Sequence, residues 1–346
     1  MGSDKIKLNR RGFMGAGLAA GATFGIVGKA SAAAEVTWRV QAHWPKASGS
    51  FGDSLVVLKD ELEKRTDGRF KLELFGAGEF AKGKEIYNFV QRGVVEMGTI
   101  SPGYMLAESE MAGLAFGIPG TFRESWQAAH FLKNLGGVDL LNQVLNKKGV
   151  IYMSEKVYPT ELVVKKPINS IEDFKALKLR SSGTMLEYLA AAGASPSYVA
   201  GPELYQALSS GVVDGAHWGA AIGAQSMSLW EVAKFHVRPA LGYAADAFIF
   251  NKDAVEALPD DLRLHLIALT EERFWRRTAE YQHKEEIALS AGRNDLGVTV
   301  ITFPDAVLEK FAAASTSILE GEAAKGELAT KAADNLVGLL KDLGYQ

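Results

Sequence analysis

Along this chain the apolar positions recur with two periods, and the switches between them mark out alternating strands and helices. Val36-Thr37-Trp38-Arg39-Val40-Gln41-Ala42 has strand-like character, and residues 50–66 read as a helix that ends at Asp67-Gly68. Phe70-Lys71-Leu72-Glu73-Leu74-Phe75 alternates apolar with polar, as a half-buried strand does. Residues 82–93 read as helix, and Val95-Glu96-Met97-Gly98-Thr99-Ile100 as the next short strand. This β-α-β-α-β order predicts a mostly parallel sheet with helices on both faces.

The pattern restarts in the middle of the chain. Residues 150–153 and 161–164 read as two strands, 171–177 as a helix and Leu177-Lys178-Leu179-Arg180 as a short strand. Helices follow at 184–192 and 203–210, then Val212-Val213-Asp214-Gly215 leads into Ala216-His217-Trp218, and residues 245–251 return as a strand. Residues 260–291 read as one helix, far beyond the ~11 residues of an average helix and long enough to run across two domains. Residues 304–343 read as two more helices. The chain has no internal repeat and no low-complexity linker, so its domains are expected to be joined by several strands.

One stretch stands outside this alternation. Asn9-Arg10-Arg11-Gly12-Phe13-Met14 precedes a small-residue apolar run over 15–27, followed by Lys29 and Ala30-Ser31-Ala32. A basic start, an apolar middle and an A-x-A-type site are the layout of an export signal, and the arginine pair points to the twin-arginine route. The apolar middle is short of the ~20 residues that a spanning helix needs. Residues 1–32 are therefore expected to be a signal peptide that sends a soluble mature chain to the periplasm.

Composition narrows the function. Setting aside the five Lys or Arg and the one Asp of residues 1–32 leaves 33 basic and 40 acidic side chains, a net charge of −7. That balance argues against nucleic-acid binding, which needs basic surface to neutralise phosphates. Cysteine is absent, which removes disulfides, thiol nucleophiles and Cys-based metal sites. The mature length suffices for two domains.

Catalytic templates are missing. The histidines at 43, 130, 217, 236, 265 and 283 form no H-x-x-x-H or H-E-x-x-H array, and neither a G-x-S-x-G elbow nor a phosphate loop occurs. Arg180 is the most suggestive polar residue. It ends a short strand just before Ser181-Ser182-Gly183-Thr184 opens a helix, and ligands of open α/β sheets collect beyond strand ends. A guanidinium there can grip a carboxylate bidentately, although an ordinary surface salt bridge fits the spacing too. Trp218 also lies at a strand end. With Trp44, Tyr104, Phe116, Tyr158 and Tyr243 it could wall an apolar cleft, or each could be a core aromatic.

Pro167-Ile168-Asn169-Ser170-Ile171-Glu172-Asp173-Phe174-Lys175-Ala176-Leu177-Lys178-Leu179-Arg180 resembles the "P-I-x-s-x-x-D-x-x-G-L-K-I-R" run of the DctP-type extracytoplasmic solute receptors of TRAP transporters. Glu203-Leu204-Tyr205-Gln206-Ala207-Leu208-Ser209-Ser210-Gly211-Val212-Val213-Asp214-Gly215 is similar to that family's "E-v-y-x-A-L-q-t-G-v-v-D-G". The resemblance covers essentially the whole mature chain and implies an α/β, two-domain periplasmic-binding-protein fold. Hinge strands and a long helix spanning both domains belong to that fold. On this basis domain I is expected over 33–157 plus about 246–285, and domain II over 158–245 plus about 286–346 with the C-terminal helices.

The resemblance further implies that Arg180 binds the carboxylate of a small organic acid, which domain closure hands to a TRAP membrane permease. Trp218, His217, Tyr104, Trp44, Tyr158, Thr160 and Tyr243 are the other expected ligand-binding residues. In the branch binding 2-oxo and 2-hydroxy monocarboxylates, a Glu commonly precedes the pocket Trp and a second lies 25 residues beyond it, holding a metal ion. Here those positions are His217 and Tyr243, so no metal is expected; were Na⁺ or Ca²⁺ to bridge the ligand, Glu161, Trp218 and Asp246 are the candidates. His217 would then donate a hydrogen bond or a positive charge to the ligand. The C-terminal helices are those that support a swapped homodimer in that branch. Two rivals stand beside this reading: a periplasmic sensing subunit for a membrane kinase, and a secreted hydrolase or lyase with His217 as base beside Glu161 or Asp246.

Overall fold

The computed structural model describes residues 35–345; the expected leader, with Arg10-Arg11, lies outside the described residues. Nine strands are formed there: β1 (Val36–Gln41), β2 (Phe70–Phe75), β3 (Met97–Ile100), β4 (Val150–Val164), β5 (Lys178–Arg180), β6 (Ser195–Ser197), β7 (Gly215–His217), β8 (Phe235–Asn251) and β9 (Thr299–Ile301). They join into one sheet in the order β2-β1-β3-β8-β4-β7-β5-β6, with β9 against β8.

The sheet is mixed rather than mostly parallel. β1 pairs in parallel with β2 and β3, and β5 with β6 and β7, as the βαβ pattern requires. β4 and β8, however, run antiparallel to each other and stitch the two parallel halves together. Residues 150–153 and 161–164 are thus the ends of one strand, not two strands. The polar run Ser154-Glu155-Lys156 between them masks the alternation, yet all three side chains are buried. Pairing slips at Glu155 and again at Glu161, so each acid occupies an irregularity of the ladder; bulges of this kind re-aim side chains beside functional sites.

Each half has the core that its sequence pattern implies. Trp38 and Val40 on β1 and Phe70 and Leu72 on β2 are buried, with Lys71 and Glu73 facing out. The helix Asp260–Asp295 packs along β4 and touches both the helix Val57–Arg65 of one half and the helix Ala221–Ser226 of the other. This is the two-domain α/β fold with hinge strands and a shared long helix. In the middle of the hinge, Thr278 of the long helix accepts a hydrogen bond from the Val157 N–H at 3.1 Å.

The helices Ser125–Asn134 and Gly137–Leu145, which the sequence reading leaves unassigned, both pack against β4. The C-terminal helices Asp305–Ala323 and Glu327–Asp342 fold back on their own chain. Tyr188 stacks on Phe311 with ring centroids 4.4 Å apart, Asn335 Nδ2 donates to the Leu135 carbonyl, and Leu336, Leu339 and Leu340 are buried.

Candidate functional site

The carboxyl ends of β1, β3, β5 and β7 converge on one cavity of about 50 Å³ between the two halves of the sheet. His43 and Trp44 reach it from the loop after β1, Ser101 and Tyr104 from the turn after β3, Arg180 and Ser182 from the end of β5, and His217 and Trp218 from the end of β7. Tyr158 and Asp246 enter from the hinge strands, and Tyr281 from the long helix. Two loops meet backbone to backbone at its edge. A Cβ on Gly103 would lie 2.9 Å from the Gly183 Cα, and Gly183 has φ +61°, so both positions need glycine.

Arg180 is 1% exposed, and no carboxylate lies within ion-pair distance of it among the described residues. Its Nε donates to the Val199 carbonyl at 3.0 Å, one Nη to the His217 carbonyl at 2.6 Å and the other to the Tyr104 hydroxyl at 3.3 Å. A guanidinium has five N–H groups, so two are left for a ligand. The Trp218 ring lies against the guanidinium, 4.7 Å from its carbon.

His217 is buried beside this charge. Burial, then the positive Arg180, pushes its imidazole down to about 3, so it is neutral at ordinary pH. In this state the ring can offer a ligand a hydrogen bond, the first of the two roles expected for it, rather than a positive charge. Nδ1 sits 3.3 Å from the Ser181 hydroxyl, while Nε2 has no hydrogen-bond partner among the described residues; nor does the Ser101 hydroxyl on the facing loop. Both are buried polar atoms of a kind that usually finds a partner.

Across the cavity Asp246 is bound by Lys156 at 2.7 Å and by the Tyr158 hydroxyl, which donates at 3.1 Å. His43 Nε2 lies 3.6 Å away, too far for a good hydrogen bond. Burial pushes the Asp246 carboxyl up, but Lys156 and His43 outweigh it and hold the group well below the usual carboxylate range. Lys156 also bonds Glu155 at 2.8 Å and faces the rings of Trp44, Tyr158 and Tyr281.

Several expected ligand residues stand elsewhere. Thr160 donates its hydroxyl to the Gly242 carbonyl at 2.9 Å, and Tyr243, paired with Pro159, is likewise absent from the cavity wall. Phe116 packs in the core behind Gly103 and Gly183. Glu161 is turned away by its bulge and is held by His236 Nε2 at 2.5 Å and Arg238 Nε at 2.9 Å. It cannot polarise His217, and Asp246 makes no hydrogen bond to that ring, so the acid–base pair required of a hydrolase is not assembled. Conversely, sequence reading passed over His43, Ser101 and Tyr281 as ligand residues; the strand-end position of the first two was the available signal.

A family model described as bacterial extracellular solute-binding protein, family 7 (DctP), matches residues 41–325. The monocarboxylate 2-oxoacid-binding periplasmic protein of Nostoc sp. is 30% identical over 206 residues, which cover 59% of this chain and 56% of that relative. The chain thus matches little more than half the length of that curated relative. A TRAP transporter solute-binding protein of Bordetella bronchiseptica, a dimer with calcium and picolinate in its active site, superposes with a TM-score of 0.83 at 22% identity over 90% of this chain and 93% of that one. A TRAP periplasmic solute-binding protein of Pseudoalteromonas atlantica with bound sodium and pyruvate gives 0.82 at 22% identity over 90% and 95%. At these identities the two structures establish a shared fold.

Proposed function

The chain belongs to family 7 of the bacterial extracellular solute-binding proteins, the DctP-type receptors of TRAP transporters, and from that premise we propose that it captures a small monocarboxylate, 2-oxo, 2-hydroxy or aromatic, with Arg180 as the carboxylate clamp. It is a receptor for small organic acids and not an enzyme. One observation carries the ligand reading. Arg180 is a buried cation with two spare donors and no carboxylate partner among the described residues. An uncompensated buried charge is costly, and a ligand carboxylate would supply both the charge and the planar acceptor that a guanidinium fork fits. His217 Nε2 and the Ser101 hydroxyl are suited to the ligand's second oxygen function, and Trp218, Tyr104, Trp44 and Tyr158 to its walls.

The proposal contains no metal. Calcium or sodium seeks six or more oxygen ligands, preferably carboxylate. Of the candidate ligands, Glu161 is consumed by His236 and Arg238, and both Asp246 oxygens are engaged by Lys156 and Tyr158. The Lys156 ammonium already supplies a fixed positive charge against Asp246, which keeps that carboxylate from repelling an anionic ligand.

Closure would pivot where β4 and β8 cross between the halves. The proposed domain limits, 157/158 on one strand and 245/246 on the other, fall on directly paired positions, Val157 opposite Ala245. The closed form would present a joint surface to a TRAP permease, in the periplasm and after export by the twin-arginine route. A homodimer through the C-terminal helices would exchange the contacts these helices make with their own chain for the same contacts from a second copy.

Calorimetric titration with a panel of mono- and dicarboxylates tests the clamp. The wild type should bind a monocarboxylate, and Arg180→Ala should lose about 2–5 kcal/mol of affinity, with Arg180→Lys recovering only part. Full affinity in Arg180→Ala would sink the reading.

A further inference from the structure

The inner cavity, at about 50 Å³, has room for only a few heavy atoms. A second chamber of about 240 Å³ adjoins it. The two share His43 and Tyr104, and Trp218 of the inner cavity sets its ring edge against Gly201 of the second chamber so closely that a Cβ there would lie 2.4 Å from it.

The second chamber is built by both halves of the protein. Ala77, Gly78 and Gly83 come from the loop after β2, and Tyr198, Ala200 and Gly201 from the segment after β6. Lys84 spans the halves with its ammonium 4.2 Å from the Tyr198 ring centre. The lining is small, aliphatic or aromatic, with charge confined to Lys82 and Glu203. It therefore offers van der Waals surface and a π face, and its one lining lysine, Lys82, is accompanied by the acidic Glu203, so the chamber carries no net positive charge for a second carboxylate.

Tyr104 is placed to govern passage between the chambers. Its hydroxyl accepts from Arg180 at 3.3 Å, a long hydrogen bond, and its ring stands edge-on to both His43 and Tyr198, with centroids 5.8 and 5.7 Å away. Glycine at 83 allows this placement, since a Cβ would meet the Tyr104 ring at 3.0 Å. Tyr104 thus touches the Arg180 guanidinium with its hydroxyl and lines both chambers.

Resting on the carboxylate-clamp reading, we propose that the binding site is bipartite: the inner chamber grips the carboxylate, and the outer chamber beyond Tyr104 takes an apolar or aromatic substituent, so the ligand class is a monocarboxylate with a hydrophobic tail rather than a bare three-carbon acid or a dicarboxylate.

Titration of the full mature chain with 2-oxopropanoate and with 3-phenyl-2-oxopropanoate tests this, using the wild type and two fillers of the outer chamber, Ala77→Trp and Ala200→Phe. The fillers come from opposite walls, and neither residue lines the inner cavity. Circular dichroism and melting curves establish which fillers fold. The wild type is expected to bind the phenyl acid at least tenfold more tightly. A folded filler is expected to weaken the phenyl acid by tenfold or more while changing the short acid less than twofold. Tighter binding of the short acid, or fillers that affect both acids alike or neither, overturns the bipartite site and leaves the Arg180 clamp standing. If the wild type binds neither acid, this inference falls, and the Arg180→Ala titration against the carboxylate panel decides the clamp separately.

Discussion

Lys156 Nζ lies 2.7 Å from Asp246 Oδ2 at the point where β4 and β8 pair, and the two side chains are only 1% and 5% exposed. The pair sits on the hinge and its Asp246 lines the cavity, so one contact serves folding and the electrostatics of the site. Removing one partner from a buried pair leaves an uncompensated charge. Lys156→Met is therefore expected to lower stability by about 3–5 kcal/mol and to weaken binding of any anion by exposing it to bare Asp246. Urea denaturation and titration of the same variant check both effects. The Asp246 carboxyl is depressed in the folded state, so its stabilising contribution is present above an unfolded carboxyl's ~3.9 and is lost as pH falls below that. Asp246→Asn should flatten this acid limb.

The neutral His217 fixes a pH profile for binding. With its imidazole pushed down to about 3, the folded protein carries no change of charge at this ring between pH 5 and 8. Ligand affinity is expected to vary less than about twofold across that range, whereas a histidine at its ordinary ~6.5 would produce a step in the middle of it. Stability behaves differently. The unfolded chain protonates His217 below ~6.5 and the native state does not, so this residue lowers stability as pH falls from there toward 3. A step in affinity near pH 6.5 that vanishes in His217→Gln would contradict the assignment.

Metal independence is open to direct measurement. Exhaustive dialysis against EDTA, followed by titration with and without added calcium or sodium, should leave the ligand dissociation constant within about twofold. A loss of binding in EDTA that calcium restores would mean that Asp246 releases Lys156 to take up an ion.

Glu285 gives a separate pH signature on the long helix. It is fully buried and accepts the Ile222 N–H at 3.1 Å, at the start of the helix that carries cavity residues Ile222 and Gly223. Burial pushes its carboxyl up to about 8, so the native state holds a proton that the unfolded chain has released. Between pH ~4.5 and 8 the native protein binds more protons, and this group's contribution to stability falls as pH rises. Glu285→Gln keeps the acceptor without the charge; it should be more stable than wild type at pH 8 and nearly equal to it at pH 5, by melting temperature. An equal difference at both pH values would place the effect in packing alone.

Residue by residue, the site was partly legible. Arg180 and Trp218 end short strands of a parallel half, and the rule that ligands gather at such ends needs only local pattern. His43 and Ser101 end β1 and β3 in the same way, but no apolar period or motif singles out a histidine and a serine on a loop. Thr160 and Tyr243 were misplaced for a different reason. Tyr243 lies three residues from Asp246 on β8, an odd separation that puts it on the opposite face. Thr160 lies two residues beyond Tyr158 on β4, but its hydroxyl is spent on the Gly242 carbonyl of the paired strand.

The sequence alone determined the βαβ halves, the long helix, Arg180 as the candidate carboxylate residue, and the family. Each of these rests on short-range periodicity or on contiguous motifs, which the chain carries whatever its partners are. The tertiary structure decided that β4 is one strand, that Glu161 belongs to His236 and Arg238, that Asp246 belongs to Lys156, and that Arg180 is left without an acid. These pairings join residues as much as 90 positions apart. Charges find partners through space, where Coulomb energy and desolvation compete over a few ångströms, and no local pattern records which of several acids a given cation will meet.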